Sequence, residues 1–538
     1  MKELPADPYT APISISIRIQ CPLCCILGAM LARVQSAAVI GVDAIPVTVE
    51  VDLLPGKFVF NVVGLPDAAV KESRVRVRSA VTNSGYAFPL DYTIHVNLAP
   101  ADVKKEGSAY DLPMALGILV STGMLGQEGL AKYWVIGELS LDGEVKPVPG
   151  VLPVAVEALD ADCRGLVVPE GNAKEAAVVS GIPIYPVKDL AQAVAFFRGD
   201  IDIRPYKTDV DGVFHQAKQY EVDMSDVRGQ EHAKRAMEVA AAGGHNLLML
   251  GPPGSGKTML AKRLPTILPD LDFTEALETT KIYSVAGRLT PDHPLVAIRP
   301  FRPPHHTISD AGLIGGGQSP RPGEISLAHN GVLFLDELPE FKKQVLEVMR
   351  QPLEDGEVTI SRAVASITYP CRFMLVAAMN PCPCGYQGHP TKRCSCYPRQ
   401  VEMYRNRISG PLLDRIDIHI EVPAVNYREL SDAAGGESSD DVRERVNKAR
   451  TVQKERFKRS KVSCNAAMSS RQIRAHCEVD EGGHRLLQHC VDRLGMSARA
   501  HSRILKVART IADLEGFENI EKAHVSEAVQ YRTLDRKI

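Results

Sequence analysis

The chain has few aromatic residues, no excess of charge of one sign and no long hydrophobic run. Aromatic residues make up 5% of the 538 residues, with a single tryptophan, which argues against a surface that stacks nucleic-acid bases. The formal net charge of −2 excludes a globally basic protein, so contact with nucleic acid would require a local patch. The longest early apolar run, CPLCCILGAMLA at 21–32, is too short to span a bilayer, and we predict no membrane association.

The cysteines lack the spread of a secreted disulfide framework. There are twelve, of which three lie at 21–25 and four at 382–396. This clustering indicates a reducing compartment and predicts a cytoplasmic location. Arg18 and the apolar run after it imitate a signal peptide, but no small-residue cleavage site follows. We therefore interpret residues 1–29 as an extension upstream of a natural start at Met30.

Composition shifts along the chain divide it into five segments. The length is sufficient for several domains, each with its own core. Two separate regions each show short β-rich runs that alternate with helical stretches. This pattern predicts two α/β domains before a largely helical C-terminal part. The predicted segments are the extension at 1–29, an α/β domain at 30–205, a linker at 206–224, a second α/β domain at 225–425 and a helical domain at 426–538.

The segment NLLMLGPPGSGKTML (246–260) reads as an apolar strand, a glycine-rich turn and a helix start, the context that a phosphate-binding loop requires. Glycines let backbone N–H groups close around phosphate oxygens, and the helix N-terminus adds a partial positive charge. Lys257 is predicted to reach the β- and γ-phosphates of ATP, and Thr258 to help hold Mg²⁺. The predicted nucleotide-binding residues are Gly251, Pro252, Pro253, Gly254, Ser255, Gly256, Lys257 and Thr258.

Two later apolar runs also end in polar residues. GVLFLDELPEF (331–341) carries Asp336, predicted to hold Mg²⁺, and Glu337, predicted to polarise the attacking water. RFMLVAAMN (372–380) ends in Asn380, which we expect to position that water near the γ-phosphate. The alternative for the acidic pair is a cap at a strand end.

A cysteine-rich loop at 380–397 begins directly after this run. Its four cysteines have the spacing C-x-C-x₉-C-x-C, and four thiolates complete a tetrahedral zinc shell. One residue within each pair is a less common spacing than two, and His389 is an alternative ligand. We favour zinc over four free thiols. For the zinc we favour a structural role over a catalytic one, because four ligands leave no open position. The predicted ligands are Cys382, Cys384, Cys394 and Cys396.

From these residues, the chain resembles the AAA+ ATPases, and more narrowly the magnesium-chelatase-like ComM/YifB family. The resemblance rests on DVRGQEHAKRAMEVAAAGGHNLLMLGPPGSGKT, FRPPHHTISDAGLIGGGQSPRPGEISLAHNGVLFLDEL and RISGPLLDRIDIHIEVP, and it extends from Met30 to the C-terminus. It implies an AAA+ P-loop α/β/α domain with a chelatase-type insertion and a C-terminal helical lid. It also implies a ring, commonly a hexamer, with ATP between subunits. For members of the ComM type, the resemblance further implies a DNA motor that promotes branch migration during homologous recombination in natural transformation.

The resemblance assigns roles to arginines. Arg415 in LLDRID matches the family's trans-acting arginine finger, and Arg407 is a second candidate. Arg499 in SARAHSRILKVART matches the sensor arginine of the lid, and Arg503 follows one helical turn later. For each of them the alternative is a surface ion pair.

The first α/β domain resembles the S5-type Lon protease fold in VKKEGSAYDLPMAL (103–116) and GELSLDGEVKPVPGVLP (137–153). A Ser–Lys dyad in that fold would need a serine where this chain has Ala109, with Ser108 one place away. The lysine position holds Leu152. We therefore predict a protease-like domain without proteolysis.

Loops that a ring would direct into its pore are the predicted DNA contacts. By analogy with related helicases these are 313–323 and the turn within 356–370 that carries Arg362; plain structural hairpins are the alternative. Residues 442–461 hold nine basic and two acidic residues on a predicted helix, for which a solvated face is favoured over DNA contact. The alternative function is the ATPase subunit of a metal-chelatase-type or protein-remodelling complex. The intact lysine, acidic pair and arginines disfavour a scaffold without activity.

Overall fold

The amino-terminal part of the computed structural model is built on a seven-stranded mixed sheet. The structure describes residues 31–209, 212, 214, 220–290, 292–317, 320–361, 366–424, 436–460, 462–494 and 497–532. The first strands are β1 (Ala32–Ile40), β2 (Asp43–Pro55), β3 (Val59–Val63), β4 (Tyr92–Ala99), β5 (Tyr133–Val135), β6 (Glu138–Leu139), β7 (Val145–Lys146), β8 (Gly165–Pro169) and β9 (Ile184–Val187). The sheet order is β3–β4–β2–β1–β5–β8–β9, and β6 pairs with β7 in a separate ribbon. The β1–β2 and β2–β4 pairs are antiparallel and the other neighbours are parallel.

The burial of side chains alternates along β2 and shows which face of this sheet the helices cover. Val47, Val49 and Val51 are fully buried, while the residues between them are only partly buried. The helices of this part are α1 (Ala68–Asn83), α2 (Asp111–Ser121), α3 (Gln127–Leu130), α4 (Val151–Asp160), α5 (Ala173–Ala176) and α6 (Leu190–Arg198). Helix α2 approaches β2 so closely that a Cβ at Gly117 would lie 2.6 Å from Cγ2 of Val51. Any side chain at position 117 would therefore push α2 away from the sheet.

A parallel five-stranded sheet forms the centre of the region 220–424. Its strands are β10 (Leu247–Leu250), β11 (Phe301–Arg302), β14 (Val332–Leu335), β17 (Met374–Met379) and β18 (Ile418–Glu421). They lie in the order β11–β14–β17–β10–β18, and every neighbouring pair is parallel. All residues of β10, β14 and β17 are buried, as expected for central strands covered on both faces. The three apolar runs identified in the sequence are thus adjacent strands.

Helices and two short ribbons surround this sheet. The ribbons pair β12 (Gly315–Gly316) with β13 (Arg321–Pro322) and β15 (Glu357–Ser361) with β16 (Ser366–Pro370). The helices are α7 (Glu231–Gly243), α8 (Lys257–Ile267), α9 (Phe273–Val285), α10 (Asp310–Ile314), α11 (Glu324–Leu327), α12 (Lys343–Val348), α13 (Arg350–Asp355), α14 (Pro398–Arg405) and α15 (Gly410–Leu413). The predicted mixed α/β class, with a parallel sheet beside the P-loop, is confirmed.

The C-terminal part is helical. It contains α16 (Ser439–Arg456), α17 (Ser470–His476), α18 (Glu481–Leu494), α19 (Ala498–Glu515) and α20 (Lys522–Gln530). Its hydrophobic core contains a buried polar network, in which the carboxylate of Asp513 accepts hydrogen bonds from Arg456 at 2.6 and 2.7 Å, from Asn465 at 2.8 Å and from Arg509 at 3.0 Å. Within the described residues, no helix is both long and apolar enough to cross a membrane.

The two sheets are connected through a buried polar junction between α4 and α9. The carbonyl of Ser284 accepts a hydrogen bond from the Gly150 N–H at 3.1 Å, and the Ser284 hydroxyl donates to the carboxylate of Glu175. Burial raises the pKa of Glu175. At the edge of the junction, Lys281 pairs with Asp43 at 3.2 Å. The first α/β unit therefore rests on the helix that precedes β11.

Candidate functional site

The P-loop connects the end of β10 to the first residue of α8. Gly254 and Gly256 have φ values of +77° and +87°, in the left-handed region that glycine adopts without strain. A Cβ at Gly251 would lie 2.2 Å from the carbonyl oxygen of Val422. The buried hydroxyl of Ser255 has no hydrogen-bond partner in the described part of the chain. A phosphate oxygen in the loop would supply such a partner, so the loop fits a nucleotide phosphate.

The Lys257 ammonium lies inside this loop. It donates to the carbonyl oxygens of Gly251 and Pro252 at 2.7 and 2.9 Å, and to Oδ1 of Asn380 at 3.4 Å. Burial lowers its pKa below the ordinary value for lysine, and the carboxylates of Asp336 and Glu337 oppose this shift only in part. The structure thus brings Lys257 and Asn380 together across the neighbouring strands β10 and β17.

The acidic pair follows β14 on the same edge of the sheet. The Thr258 hydroxyl donates to Oδ2 of Asp336 at 2.7 Å, and the backbone N–H of Glu337 donates to Oδ1 at 2.9 Å. Hydroxyl and carboxylate oxygens are the ligands that Mg²⁺ prefers, so these two side chains fit the metal that ATP requires. Glu337 has φ +53°, and its side chain is about half exposed. Glu337 therefore leaves the strand at a sharp turn, with its carboxylate accessible.

His306 is a neighbour of Glu337 that the sequence analysis missed. Its Nδ1 lies 3.4 Å from Oε2 of Glu337, and its ring packs on His305 at 4.2 Å between centroids and edge-on against Phe341. The adjacent histidines in FRPPHHT were a visible signal. Their closeness to Glu337 depends on β11 pairing with β14, which sequence reasoning did not supply.

Each candidate arginine contacts a carboxylate of its own chain. Arg415 is nearly buried and binds Glu354 and, at 2.6 Å, the carbonyl of Pro411. The other three are paired as follows: Arg407 with Glu340 at 2.9 Å, Arg499 with Asp414 at 3.5 Å, and Arg503 with Asp417. Arg499 is 70% exposed and its contact is long, so its guanidinium is the least restrained of the four. Within one chain, none of these contacts includes a P-loop residue.

The four cysteines of the loop come together. The sulfur atoms of Cys382, Cys384 and Cys394 lie 3.3–3.6 Å apart, and all four sulfurs lie within 4.8 Å of one another. Tetrahedral zinc with Zn–S bonds of about 2.3 Å separates its sulfurs by about 3.8 Å, so the group fits a zinc ion. The pKa of Cys384 is lowered to about 5 by hydrogen bonds, among which the one from the backbone N–H of Tyr386 has the largest effect.

His389 does not join the cysteine group. Its Nδ1 accepts hydrogen bonds from the backbone N–H groups of Thr391 and Lys392 at 3.2 and 3.0 Å. It lies in the turn between the cysteine pairs, which explains why the sequence suggested it as a ligand.

The start of the cysteine loop lies close to the P-loop, because a Cβ at Gly385 would lie 2.6 Å from Cδ of Pro253. The cysteine loop thus packs directly on the P-loop.

In the first unit, the positions of a protease dyad hold other chemistry. Ser108 donates to the carboxylate of Glu138, Ala109 is partly buried, and Leu152 is fully buried in the core. A buried lysine, Lys105, is present nearby in sequence, but its ammonium donates to the carbonyl of Pro100. The described contacts of Ser108 therefore include a carboxylate and no amine.

The remaining DNA candidates are only partly described. Arg362 lies outside the described residues, as does residue 461 at the end of the basic segment. Within α16, Val442, Val446 and Ala449 are buried, and the basic side chains differ in exposure: that of Lys448 is 73% exposed, whereas that of Arg456 is 13% exposed and pairs with the buried Asp513. Several of these are paired with carboxylates, at Asp440, Glu437, Glu444 and Asp513. The solvated face favoured from the sequence therefore stays a prediction for the exposed residues of this helix, such as Lys448.

Three family models match successive parts of the chain: "subunit ChlI of Mg-chelatase" at 49–172, "magnesium chelatase, subunit ChlI" at 223–430 and "magnesium chelatase, subunit ChlI C-terminal" at 436–532. The competence protein ComM of Haemophilus influenzae and the YifB protein of Escherichia coli are each 46% identical, over 94% of this chain and 98% of their own length. The magnesium-chelatase 38 kDa subunit of Rhodobacter capsulatus is 24% identical over 39% of this chain and 61% of its own length.

Proposed function

This chain belongs to the magnesium-chelatase-like ComM/YifB family of AAA+-type ATPases, and from that premise we propose that it is a ring-forming motor that drives branch migration of DNA. The proposed setting is homologous recombination during natural transformation. The observation that carries the ATPase part is the convergence of Lys257, Thr258, Asp336, Glu337 and Asn380 at the carboxyl edge of three adjacent parallel strands. Ligand sites in open α/β sheets lie at that edge.

In the proposed reaction, the P-loop binds the phosphates of ATP through its backbone N–H groups and the Lys257 ammonium. Thr258 and Asp336 hold Mg²⁺, which when bound neutralises charge on the phosphates. Glu337 accepts a hydrogen bond from the attacking water and draws electron density onto its oxygen. Asn380 orients that water beside the γ-phosphate.

The proposed ring completes the site from a neighbouring subunit. Arg415 is proposed as the arginine that reaches the neighbour's γ-phosphate, with Arg407 as a second candidate. Arg499 is proposed as the sensor arginine on a C-terminal helical lid, with Arg503 as a second candidate. Arg407 and Arg415 lie in the connections before and after α15, whereas Arg499 and Arg503 lie on α19. This separation is compatible with one arginine set acting across an interface and the other within the chain. A hexamer is the proposed ring.

DNA is the proposed partner, bound by pore loops at 313–323 and near Arg362. The family relationship supports this, since the relative from Haemophilus influenzae is named a competence protein. The first α/β unit is proposed to be a Lon-protease-like domain without proteolysis, because Ala109 and Leu152 occupy the dyad positions. The clustered cysteines support a cytoplasmic location.

Structural zinc in the cysteine loop is a separate proposal. It is supported by the closeness of the four sulfurs and by their number, because four thiolates complete the tetrahedral shell of a zinc ion. Elemental analysis after purification without chelators should give one zinc per chain. Cys382→Ser should lower this value, whereas Cys163→Ser, outside the group, should leave it unchanged. Absence of zinc from the wild-type chain would contradict the proposal.

The decisive test is ATP hydrolysis with and without four-way-junction DNA. Wild-type protein should hydrolyse ATP faster with the junction, and Glu337→Gln should abolish hydrolysis while retaining ATP binding. Glu481→Gln, an exposed carboxylate paired with Arg485 on α18, is the matched control and should behave as wild type.

A second function would be favoured by hydrolysis that no DNA stimulates. The match to the chelatase subunit models is the observation behind it. The protein would then act as the ATPase of a metal-chelatase-type or protein-remodelling complex. A protein partner that stimulates hydrolysis would distinguish it from the DNA motor.

A further inference from the structure

A cavity of about 360 Å³ lies at the base of the β12–β13 ribbon. Its walls come from the end of α9, the segment that leads into β12, β13 itself and the start of α11. The volume is at the lower end of the roughly 300–1,000 Å³ that small-molecule sites occupy. Among its described lining residues, none belongs to the P-loop or the acidic pair, so the cavity is separate from the nucleotide site.

The cavity is positively charged. Arg288 and Arg321 line it, both are exposed, and neither has a carboxylate at ion-pair distance within the described residues. The acidic residue of the lining, Glu324, is already neutralised, because Arg302 donates to its two oxygens at 2.6 and 2.8 Å. Two guanidiniums therefore line the cavity with no carboxylate partner among the residues that the structure describes.

Part of the cavity wall is formed by the backbone of the β12–β13 ribbon, whose two strands lie in close contact. A Cβ at Gly315 would lie 2.3 Å from the carbonyl oxygen of Arg321, and a Cβ at Gly323 would lie 2.4 Å from the backbone nitrogen of Gly315. Gly315 has φ +113°, which a residue with a side chain rarely adopts. Glycine at these positions thus allows the ribbon base to pack against itself, which fixes the backbone that carries Arg321.

The lining also restricts what the cavity can recognise. It consists of small, aliphatic, proline, arginine and glutamate residues, with no aromatic ring among those described. A nucleic-acid base would find no ring on which to stack. A phosphate, in contrast, matches the paired donors of a guanidinium.

We propose that this cavity binds a backbone phosphate of DNA between Arg288 and Arg321, an inference that rests on the proposed DNA motor and assigns its contact at the ribbon base. Phosphate contacts fix the position of a protein on nucleic acid without reading its sequence. The site is thus a sequence-independent grip, as a motor that moves along any sequence requires. Arg288 lies 25 to 35 residues before the loop at 313–323 that the sequence suggested, so the site joins two separate segments.

The position of Arg288 also connects this grip to the domain junction. It follows the end of α9, four residues after Ser284, which contacts Gly150 and Glu175 of the first α/β unit. A phosphate held by Arg288 would therefore restrain the same end of α9 that supports this unit.

The test compares DNA affinity at several salt concentrations. The variant with Arg288→Ala and Arg321→Ala should bind single-stranded or junction DNA about tenfold more weakly at 0.1 M salt, with a salt slope smaller by about one, as expected for one lost phosphate contact. Arg485→Ala, which removes an exposed arginine on α18, is the matched control and should retain both values. Circular dichroism and ATP hydrolysis without DNA should stay unchanged in all variants.

A charge-conserving variant separates charge from folding. Arg288→Lys with Arg321→Lys should restore most of the salt slope, but not the full affinity, because lysine lacks the planar fork. Wild-type protein that binds no DNA at any salt concentration would overturn the proposed function itself. Wild-type binding that the alanine pair leaves unchanged would overturn only the assignment of the cavity.

Two further outcomes would also overturn the cavity assignment. If the alanine pair weakened binding to one base composition and not another, the arginines would be reading bases. If polyglutamate displaced labelled DNA as well as unlabelled DNA did, and only from the wild type, the cavity would be a site for acidic protein segments.

Discussion

His419, on β18, should make the folded protein sensitive to mild acid. It is buried, and neither ring nitrogen has a hydrogen-bond partner within the described residues. Its pKa is lowered to about 3, chiefly by burial and then by the charge of Arg532, while Asp417 opposes the shift. An unfolded histidine has a pKa of about 6.5. Between these values the unfolded chain binds a proton that the folded chain does not, so stability is lost as the pH falls below about 6.5.

The size of the effect follows from this difference in pKa. Each pH unit inside the window costs about 1.4 kcal/mol, so at pH 5 the folded state has lost about 2 kcal/mol. For a unit of this size the melting temperature falls by about 2 °C per kcal/mol, which gives about 4 °C. Asp417 does not interfere: although its own burial acts in the opposite direction, the hydrogen bond from His245 and the charge of Arg503 lower its pKa. Its contribution is therefore lost only below about pH 4.

Thermal unfolding followed by circular dichroism between pH 8 and pH 5 measures this contribution. His419→Leu removes the titrating ring without breaking a hydrogen bond of the described structure. Its melting temperature should therefore fall about 4 °C less than that of the wild type over this range. His293→Gln, at an exposed position, should follow the wild type. Parallel profiles for wild type and His419→Leu would refute the reasoning, because the buried ring would then carry no pH-dependent cost.

Three other outcomes are expected. Asp513→Ala removes the carboxylate that pairs with the guanidiniums of Arg456 and Arg509, and it should lower the free energy of unfolding in urea by about 3–5 kcal/mol. Glu444→Gln, in an exposed helical pair, should lower it by about 0.3–0.5 kcal/mol. Equal losses for the two variants would contradict the buried network. Glu354→Ala should free Arg415 for a neighbouring subunit and raise ATP hydrolysis about two- to fivefold at limiting protein concentration, and an unchanged or lower rate would argue against this role of Glu354. Wild-type protein with ATP should not cleave an unfolded substrate, and cleavage abolished by Ser108→Ala would contradict the absence of proteolysis.

The central features of the ATPase site could be predicted because parallel strands obey a simple rule. Three apolar runs, each followed by a polar residue, must bring Lys257, Asp336 and Asn380 to one edge once the strands are adjacent and parallel. The sequence also predicted the closeness of the cysteines, since their spacing and the glycines between them allow a closed loop. Local sequence was sufficient in both cases because the contacts are made by residues next to strand ends or within one short loop.

The contacts that could not be predicted join segments far apart in the chain. His306 reaches Glu337 only because the two-residue strand β11 pairs with β14, and two residues carry too little periodicity to identify a strand. Glu354 binds Arg415 across 61 residues. Neither residue type nor spacing indicates such a partner. Charged side chains find partners according to tertiary geometry, so the sequence could identify the arginines but not the carboxylates that hold them.

The cysteine loop and the P-loop are better understood as one unit than as two sites. The first cysteine of the loop, Cys382, lies two residues after Asn380, and the close contact of Gly385 with Pro253 places the loop directly against the P-loop. Asn380 also contacts Lys257, so the start of the cysteine loop touches the phosphate-binding loop from two directions. An ion bound by the four thiolates would therefore limit the freedom of the segment that presents Asn380. It would do so without contacting the nucleotide, since all four ligand positions of zinc would be filled by cysteine.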